Sequence, residues 1–350
     1  MPFKLNTFFY RFLAVTLALF VMLGLPQSSH AKDAPLELII LETMTLEAIQ
    51  QRTAALRSRL GEIGYRQGDT VNIRVFNADK DKAKGNAILN RAIAEQKPDL
   101  VITVATLASQ SGRAILKGSD IPQIFMFVSD PVGAGVIESI GRPSGDNVAG
   151  HVHMLPRDIH LNMIMRLLRM VNDTNPLNIG LLYSSYPSSV GMKNKLIDAA
   201  KERGDVTFHT FEIEQLPMKS GLDAMLAQAE QGLRELEAKS DYIWLGEGPL
   251  GRNAAFVKKS LEMSQKPIIA GASMDGARSG ILITLDSNPQ DDAHEAALLI
   301  NAVLNGQDPA QIPVMRTSSY RIGINLSTAK KLGIEVPPDL LAIAGRELHW

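Results

Sequence analysis

The sequence predicts an α/β protein made of two doubly wound parallel-sheet lobes that face one another across a cleft. Three observations carry that expectation. Leu100 to Val104 and Gln123 to Val128 are uniformly apolar, as strands covered by helices on both faces must be. Each runs straight into a small polar loop, Ala105-Thr106-Leu107-Ala108-Ser109 and Ser129-Asp130-Pro131, and an open α/β sheet binds its ligands at the carboxyl ends of its strands. The alternation of strand and helix patterns stops near His153 and then begins again, which predicts a second lobe of similar layout.

In chain order, Leu36 to Leu41 is an apolar strand, followed by Glu42, Thr43 and Met44. Leu46, Ile49, Thr53, Leu56, Leu60 and Ile63 then recur at alternating steps of three and four, one face of a helix that Gly61, Gly64 and Gly68 break. Val71, Ile73 and Val75 alternate with polar residues and give a second strand. Helices through Ile88, Leu89, Ala92 and Ile93, and from Ser109 to Lys117, lead into the two central strands. Val148 to His153 leaves this sheet, and Pro156 opens a helix whose Leu161, Ile164, Leu168 and Val171 share a face. The second series of strands is Leu177–Tyr183, Val206–Phe211, Tyr242–Leu245 and Pro267–Ala270, with Ile281–Leu285 after them. A helix over Asp291–Leu304, an extended linker Asn305–Thr317, a strand Tyr320–Ile324 and a helix Leu340–Leu348 complete the chain.

Lys4 and Arg11 precede an apolar run from Phe12 to Leu25, Pro26 follows, and Ser29-His30-Ala31 offers small residues where a signal peptidase reads. Residues 1–31 are therefore expected to be a signal peptide cleaved after Ala31, because the run is shorter than the roughly 20 residues that span a bilayer. The mature chain is expected to be periplasmic and not membrane-anchored. With no cysteine in the sequence, a lipid-attachment thiol, a disulfide framework and thiol catalysis are all excluded. The formal charge of −1, with no basic block, speaks against nucleic acid as a partner.

The strand-end loops hold the candidate binding residues, and each has a plain structural alternative. Pro131 biases Asp130 towards an extended backbone, from which its carboxylate either faces the cleft or closes an Asx turn on its own loop. Thr106 and Ser109 sit where a helix starts, so they either cap it or, with the exposed amides, hold a ligand carboxylate. Ser184, Ser185 and Ser188 occupy the equivalent place in the second lobe, and Tyr186 beside them offers a flat face to a ligand or packs into the core. Glu247, between Gly246 and Gly248, is either a ligand acceptor or a solvated loop carboxylate, and the same choice holds for Ser273 and Asp275. Gly271-x-Ser273-x-x-Gly276 misses the nucleophile-elbow spacing by one residue, and His294 and His349 are poorly placed for a triad, so no enzyme activity is expected. His151 and His153 share one side of a strand, a chelating geometry if His160 approached, but no metal is expected. No phosphate-binding Gly-Lys loop is present, and no cofactor is expected.

The runs LGEIGYRQGDTVNI, PDLVITVATLAS, IPQIFMFVSDPVGAG and PVMRTSSYRIGINLSTAKKLGIEVP together resemble the ABC-transporter substrate-binding proteins of the tryptophan/tyrosine-type family. The resemblance implies a type I periplasmic binding fold, with crossovers near His153, Asp286 and Thr317. It places lobe 1 at 36–153 plus 286–316 and lobe 2 at 154–285 plus 317–350. It further implies a monomer that closes on a small solute, amino-acid-like or neutral polar, and delivers it to an ABC permease with a cytoplasmic ATPase. A sensing module docking on a chemoreceptor or histidine kinase is the other reading. The chain departs from that family in its ligand-reading loops: Ala105-Thr106-Leu107-Ala108 replaces a Gly-Thr-Pro-Ala type loop, Gly246-Glu247-Gly248 replaces Thr-Asp-Asn, and Glu42-Thr43-Met44 lacks His-Pro. The residues expected to bind ligand are Thr43, Met44, Thr106, Leu107, Ser129, Asp130, Ser184, Ser185, Tyr186, Glu247, Gly248, Ser273 and Asp275.

Overall fold

The central strands of each lobe are apolar on both sides because helices cover both faces of each sheet, while the outer strands Val71–Asn77 and Val206–Ile213 carry polar residues and are only partly buried. The computed structural model describes residues 34–317 and 319–350, so the expected signal peptide and its cleavage after Ala31 lie outside the described residues. In the first lobe, β1 (Leu36–Glu42), β2 (Val71–Asn77), β3 (Leu100–Val104), β4 (Gln123–Val128), β5 (Val148–Val152) and the short β11 (Met315–Arg316) form a parallel sheet of order β11-β5-β4-β3-β1-β2. Leu38 and Ile40 of β1 point into one core, with Ile49, Leu56 and Leu60 of α1 (Glu47–Glu62) and Ala296 and Ile300 of α9 (Pro289–Leu304). Ile39 and Leu41 point the other way, against Leu89 of α2 (Lys82–Glu95) and Ala108 and Leu116 of α3 (Thr106–Leu116). All of these side chains are fully buried, and each leucine or isoleucine among them contributes about 1.5–3 kcal/mol before entropy is counted.

The second sheet repeats the plan. Its strands are β6 (Leu177–Ser184), β7 (Val206–Ile213), β8 (Tyr242–Leu245), β9 (Ile268–Gly271), β10 (Ile283–Ser287), β12 (Tyr320–Asn325) and β13 (Leu348–His349), in the order β13-β12-β10-β9-β8-β6-β7. Only the β10–β12 pair is antiparallel. Helices α4 (Arg157–Leu168), α5 (Pro187–Arg203), α10 (Leu326–Lys331) and α11 (Pro338–Ala344) cover one face. The other is covered by α6 (Met218–Glu237) and α7 (Ala254–Met263), and α8 (Met274–Ser279) follows β9.

Three segments join the sheets, after β5, between β10 and α9, and between β11 and β12. β10 keeps Asp286 and Ser287 in the second sheet, so the chain leaves it at Asn288, just beyond the expected boundary at 286. Asn288 caps α9 by accepting the Gln290 amide at 3.1 Å, and Pro289 fits the first helical position, where no amide is needed. One expected element is shorter: the last helix ends at Ala344 rather than Leu348, because Gly345 has φ +51° and turns the chain into β13.

Candidate functional site

Both sheets reverse their winding order between two neighbours, β1 and β3 in the first and β6 and β8 in the second. Loops leaving a sheet on either side of such a point diverge and open a crevice. The two crevices face each other and form a chamber of about 40 Å³. The first lobe contributes Met44, Leu46 and Ile49 after β1, Ala105 and Thr106 after β3, Phe127 and Ser129 at the end of β4, and His153 after β5. The second contributes Tyr186 and Ser188 after β6, and Glu247, Gly248, Pro249 and Arg252 after β8.

Two strained residues shape its first-lobe wall. Ala105 has φ +70° and Phe127 has φ +57°, conformations that cost a residue with a side chain about 1–3 kcal/mol each. Phe127 sits where the β4–β5 register shifts, and this bulge turns its ring out of the sheet and into the cleft. There the ring packs against His153 at 4.4 Å and lies under the guanidinium of Arg52 at 3.8 Å and that of Arg252 at 5.0 Å. Ala105 precedes α3 without a side-chain cap, and Tyr186 likewise precedes α5. The amides of Thr106 in α3 and of Ser188 in α5, ahead of the first intrahelical bonds, therefore stand beside the chamber next to the hydroxyls of the same two residues.

Every charge near the chamber is paired. Arg157 makes a bidentate ion pair with Glu247, its Nη2 donating to Oε2 at 2.6 Å, and both side chains are buried. Arg252 donates to both oxygens of Asp286 at 2.7 and 2.9 Å. Arg52, reaching from α1, donates to Asp292 at 2.8 Å and to the Ser287 hydroxyl at 2.9 Å. Burial alone would raise the pKa of Asp286, but Arg252 and Arg52 hold it below the usual carboxylate range. His153 is pushed down to about 3 by burial, with Arg252 adding to the effect, so it is neutral. The chamber thus offers hydroxyls, amides and a neutral imidazole around an aromatic floor.

Of the residues expected to bind, the structure brings Met44, Thr106, Ser129, Tyr186, Glu247 and Gly248 to the chamber. Gly248 has φ +101°, and a Cβ there would stand 2.4 Å from the Ser189 hydroxyl. The others are elsewhere, for local reasons. Thr43 is fully buried and structural: its hydroxyl donates to the Val104 carbonyl at 3.0 Å and accepts the Ala108 amide at 2.9 Å, capping α3 from the neighbouring strand. Ser184 is buried against the Ser189 hydroxyl at 3.2 Å. Leu107 and Ser185 line an outer groove, where Ser185 accepts the Gln215 amide at 2.9 Å. Ser273 and Asp275 border a separate recess, with Asp275 exposed and paired to Arg278 at 3.2 Å.

Asp130 does both things its loop allowed, and neither is in the chamber. It accepts the Gly133 amide at 3.0 Å as an Asx turn and pairs at 2.6 Å with Lys195 of α5, across the mouth of the cleft. A Cβ at Gly191 would lie 3.2 Å from its carboxylate, so the bare glycine lets α5 come this close. His160 packs edge-on against Trp244, ring centroids 4.9 Å apart, and among the described residues no three His, Asp or Glu gather as a metal would require.

The family model for ABC transporter substrate binding proteins matches residues 38–348, and the chain belongs to that family. It is a solute-capturing component of an ABC transporter. Among individual relatives, it is 27% identical over 281 residues to the tyrosine-binding protein of Clostridioides difficile (strain R20291), covering 79% of this chain and 74% of the other. The ABC domain from Streptococcus pneumonia solved in complex with L-Trp superimposes with a TM-score of 0.72 at 24% identity, over 91% of this chain and 100% of that one. A ligand-free, open substrate binding protein with adhesive properties from Clostridium difficile gives a TM-score of 0.63 at 21% identity, over 87% of this chain and 96% of that one. These likenesses carry the type I periplasmic binding fold.

Proposed function

We propose that this protein is the periplasmic receptor of an amino-acid importer, exported with loss of residues 1–31. On this reading it closes as a monomer on an amino-acid-like solute and releases it unchanged to its permease. The observation that supports this most is the convergence of the first turns of α3 and α5, from opposite lobes, on one chamber, with the Thr106 and Ser188 amides at their starts. Open amides and the hydroxyls of Thr106 and Ser188 suit a carboxylate, while the Ser129 hydroxyl and neutral His153 supply acceptors for an ammonium group. The relatives named for tyrosine and solved with L-Trp favour an amino acid over the sugars held by more distant members of the fold. No catalytic step belongs to this reading, since the ionic groups at the chamber are tied to one another.

Mass spectrometry of the solute that co-purifies with the protein, followed by calorimetry with the standard amino acids, tests the reading. We expect one of them to bind with one-to-one stoichiometry and to be recovered intact. At about 100 times its dissociation constant it should stabilise the fold by roughly 2.7 kcal/mol. Recovery of a hydrolysed product, or binding of a sugar and of no amino acid, would refute it.

A further inference from the structure

Tyr186 belongs to the second lobe by sequence and to the first by packing. It follows β6, yet its ring is buried in the first-lobe core cluster that includes Met44, Ile49, Ala105 and Phe127. Tyr186 and Met44 line both the inner chamber and the outer groove, so together they are the wall that separates the two. The groove beyond that wall has a volume of about 600 Å³, against about 40 Å³ inside.

The ring is held there by the backbone. Tyr186 has φ −66° and ψ 137°, the extended conformation that a following proline imposes, and Pro187 then starts α5. Its hydroxyl lies close to the Leu107 backbone and to Thr43, but it has no hydrogen-bond partner of normal geometry. A phenol buried with its oxygen unpaired is held by the shape of the surrounding apolar wall. Here a side chain of the protein fills the apolar part of the cleft.

We propose that Tyr186 is the specificity-determining residue of this cleft: its ring takes the space in which a bulky aromatic solute would lie, so the closed protein accepts a small amino acid and excludes aromatic ones. The head group of that solute rests on the amino-acid reading above, but the size limit does not.

Calorimetry on the wild type, Tyr186→Phe and Tyr186→Ala tests this with two sets of probes. Phenol and indole report on the space alone, because an apolar cavity left by a deleted ring takes up small aromatic molecules. Glycine, L-alanine, L-serine, L-phenylalanine, L-tyrosine and L-tryptophan report on the solute. We expect the wild type and Tyr186→Phe to bind neither phenol nor indole, and Tyr186→Ala to bind one of them saturably. Affinity for an aromatic amino acid should rise by at least about tenfold in Tyr186→Ala over the wild type. If wild-type protein binds L-tyrosine or L-tryptophan as tightly as any small amino acid, the proposal is overturned, and that arm needs no folded variant. A folded Tyr186→Ala protein that gains neither phenol nor indole overturns it as well. If that variant gains phenol while no amino acid binds any of the three proteins, the amino-acid reading fails and the role of Tyr186 in filling the cleft stands.

Discussion

Asp130 shows how a residue can be legible in the sequence while its partner is not. Its position after a central strand and before Pro131 is visible in the sequence, and so is its capacity for an Asx turn. Its partner Lys195 is not, because it lies 65 residues away on a helix of the other lobe. The pair closes the cleft mouth, with the lysine half-exposed, so its value is that of a surface ion pair, about 0.2–1 kcal/mol. Asp130→Asn keeps the acceptor for Gly133 and loses the charge. Calorimetry with the solute that the wild type binds should show affinity falling by less than about fivefold, and by less still at high salt, where such pairs are screened. A loss of tenfold or more that is insensitive to salt would mean that Asp130 touches the solute. Arg52 and Asp292 were equally hidden: each reads as an ordinary polar position on its own element, and only the crossovers bring Arg52, paired with Asp292, over the Phe127 ring beside Arg252.

At the scale of elements, the strands were readable because burial on both faces leaves a continuous apolar run, and β3 and β4 have the expected limits. Helix ends were less so. The start of α3 is at Thr106 rather than Ser109, because its cap is the Thr43 hydroxyl from another strand and the left-handed Ala105 replaces a capping residue. The crossover strand β5 and helix α4 carry a consequence for pH. His153 and His160 are both buried neutral, pushed down to about 3 by burial, with Arg252 and Arg157 respectively adding to it. An unfolded histidine titrates near 6.5, so below that pH the unfolded chain binds more protons and stability falls as pH drops, towards about 3. Chemical denaturation should therefore find the protein less stable at pH 5 than at pH 7 by roughly 3–4 kcal/mol, close to 2 kcal/mol for each histidine. His160→Gln should remove about half of that dependence, and an unchanged slope in this variant would show that the ring is protonated in the fold.

For the whole molecule, the architecture follows from one arrangement used twice. Each winding reversal opens a crevice, and the crossovers after β5, β10 and β11 set the two crevices face to face. The buried network of Arg52, Asp286, Asp292 and Arg252 spans these connections, joining α1 and α9 of the first lobe to β10 and the β8 loop of the second. A chamber walled by both lobes admits a solute only when they part, and holds it only when they meet. Small-angle X-ray scattering, with saturation by the bound solute verified by calorimetry on the same sample, tests that directly. The account predicts a smaller radius of gyration with solute than without it. An unchanged radius at full occupancy would contradict capture between the lobes.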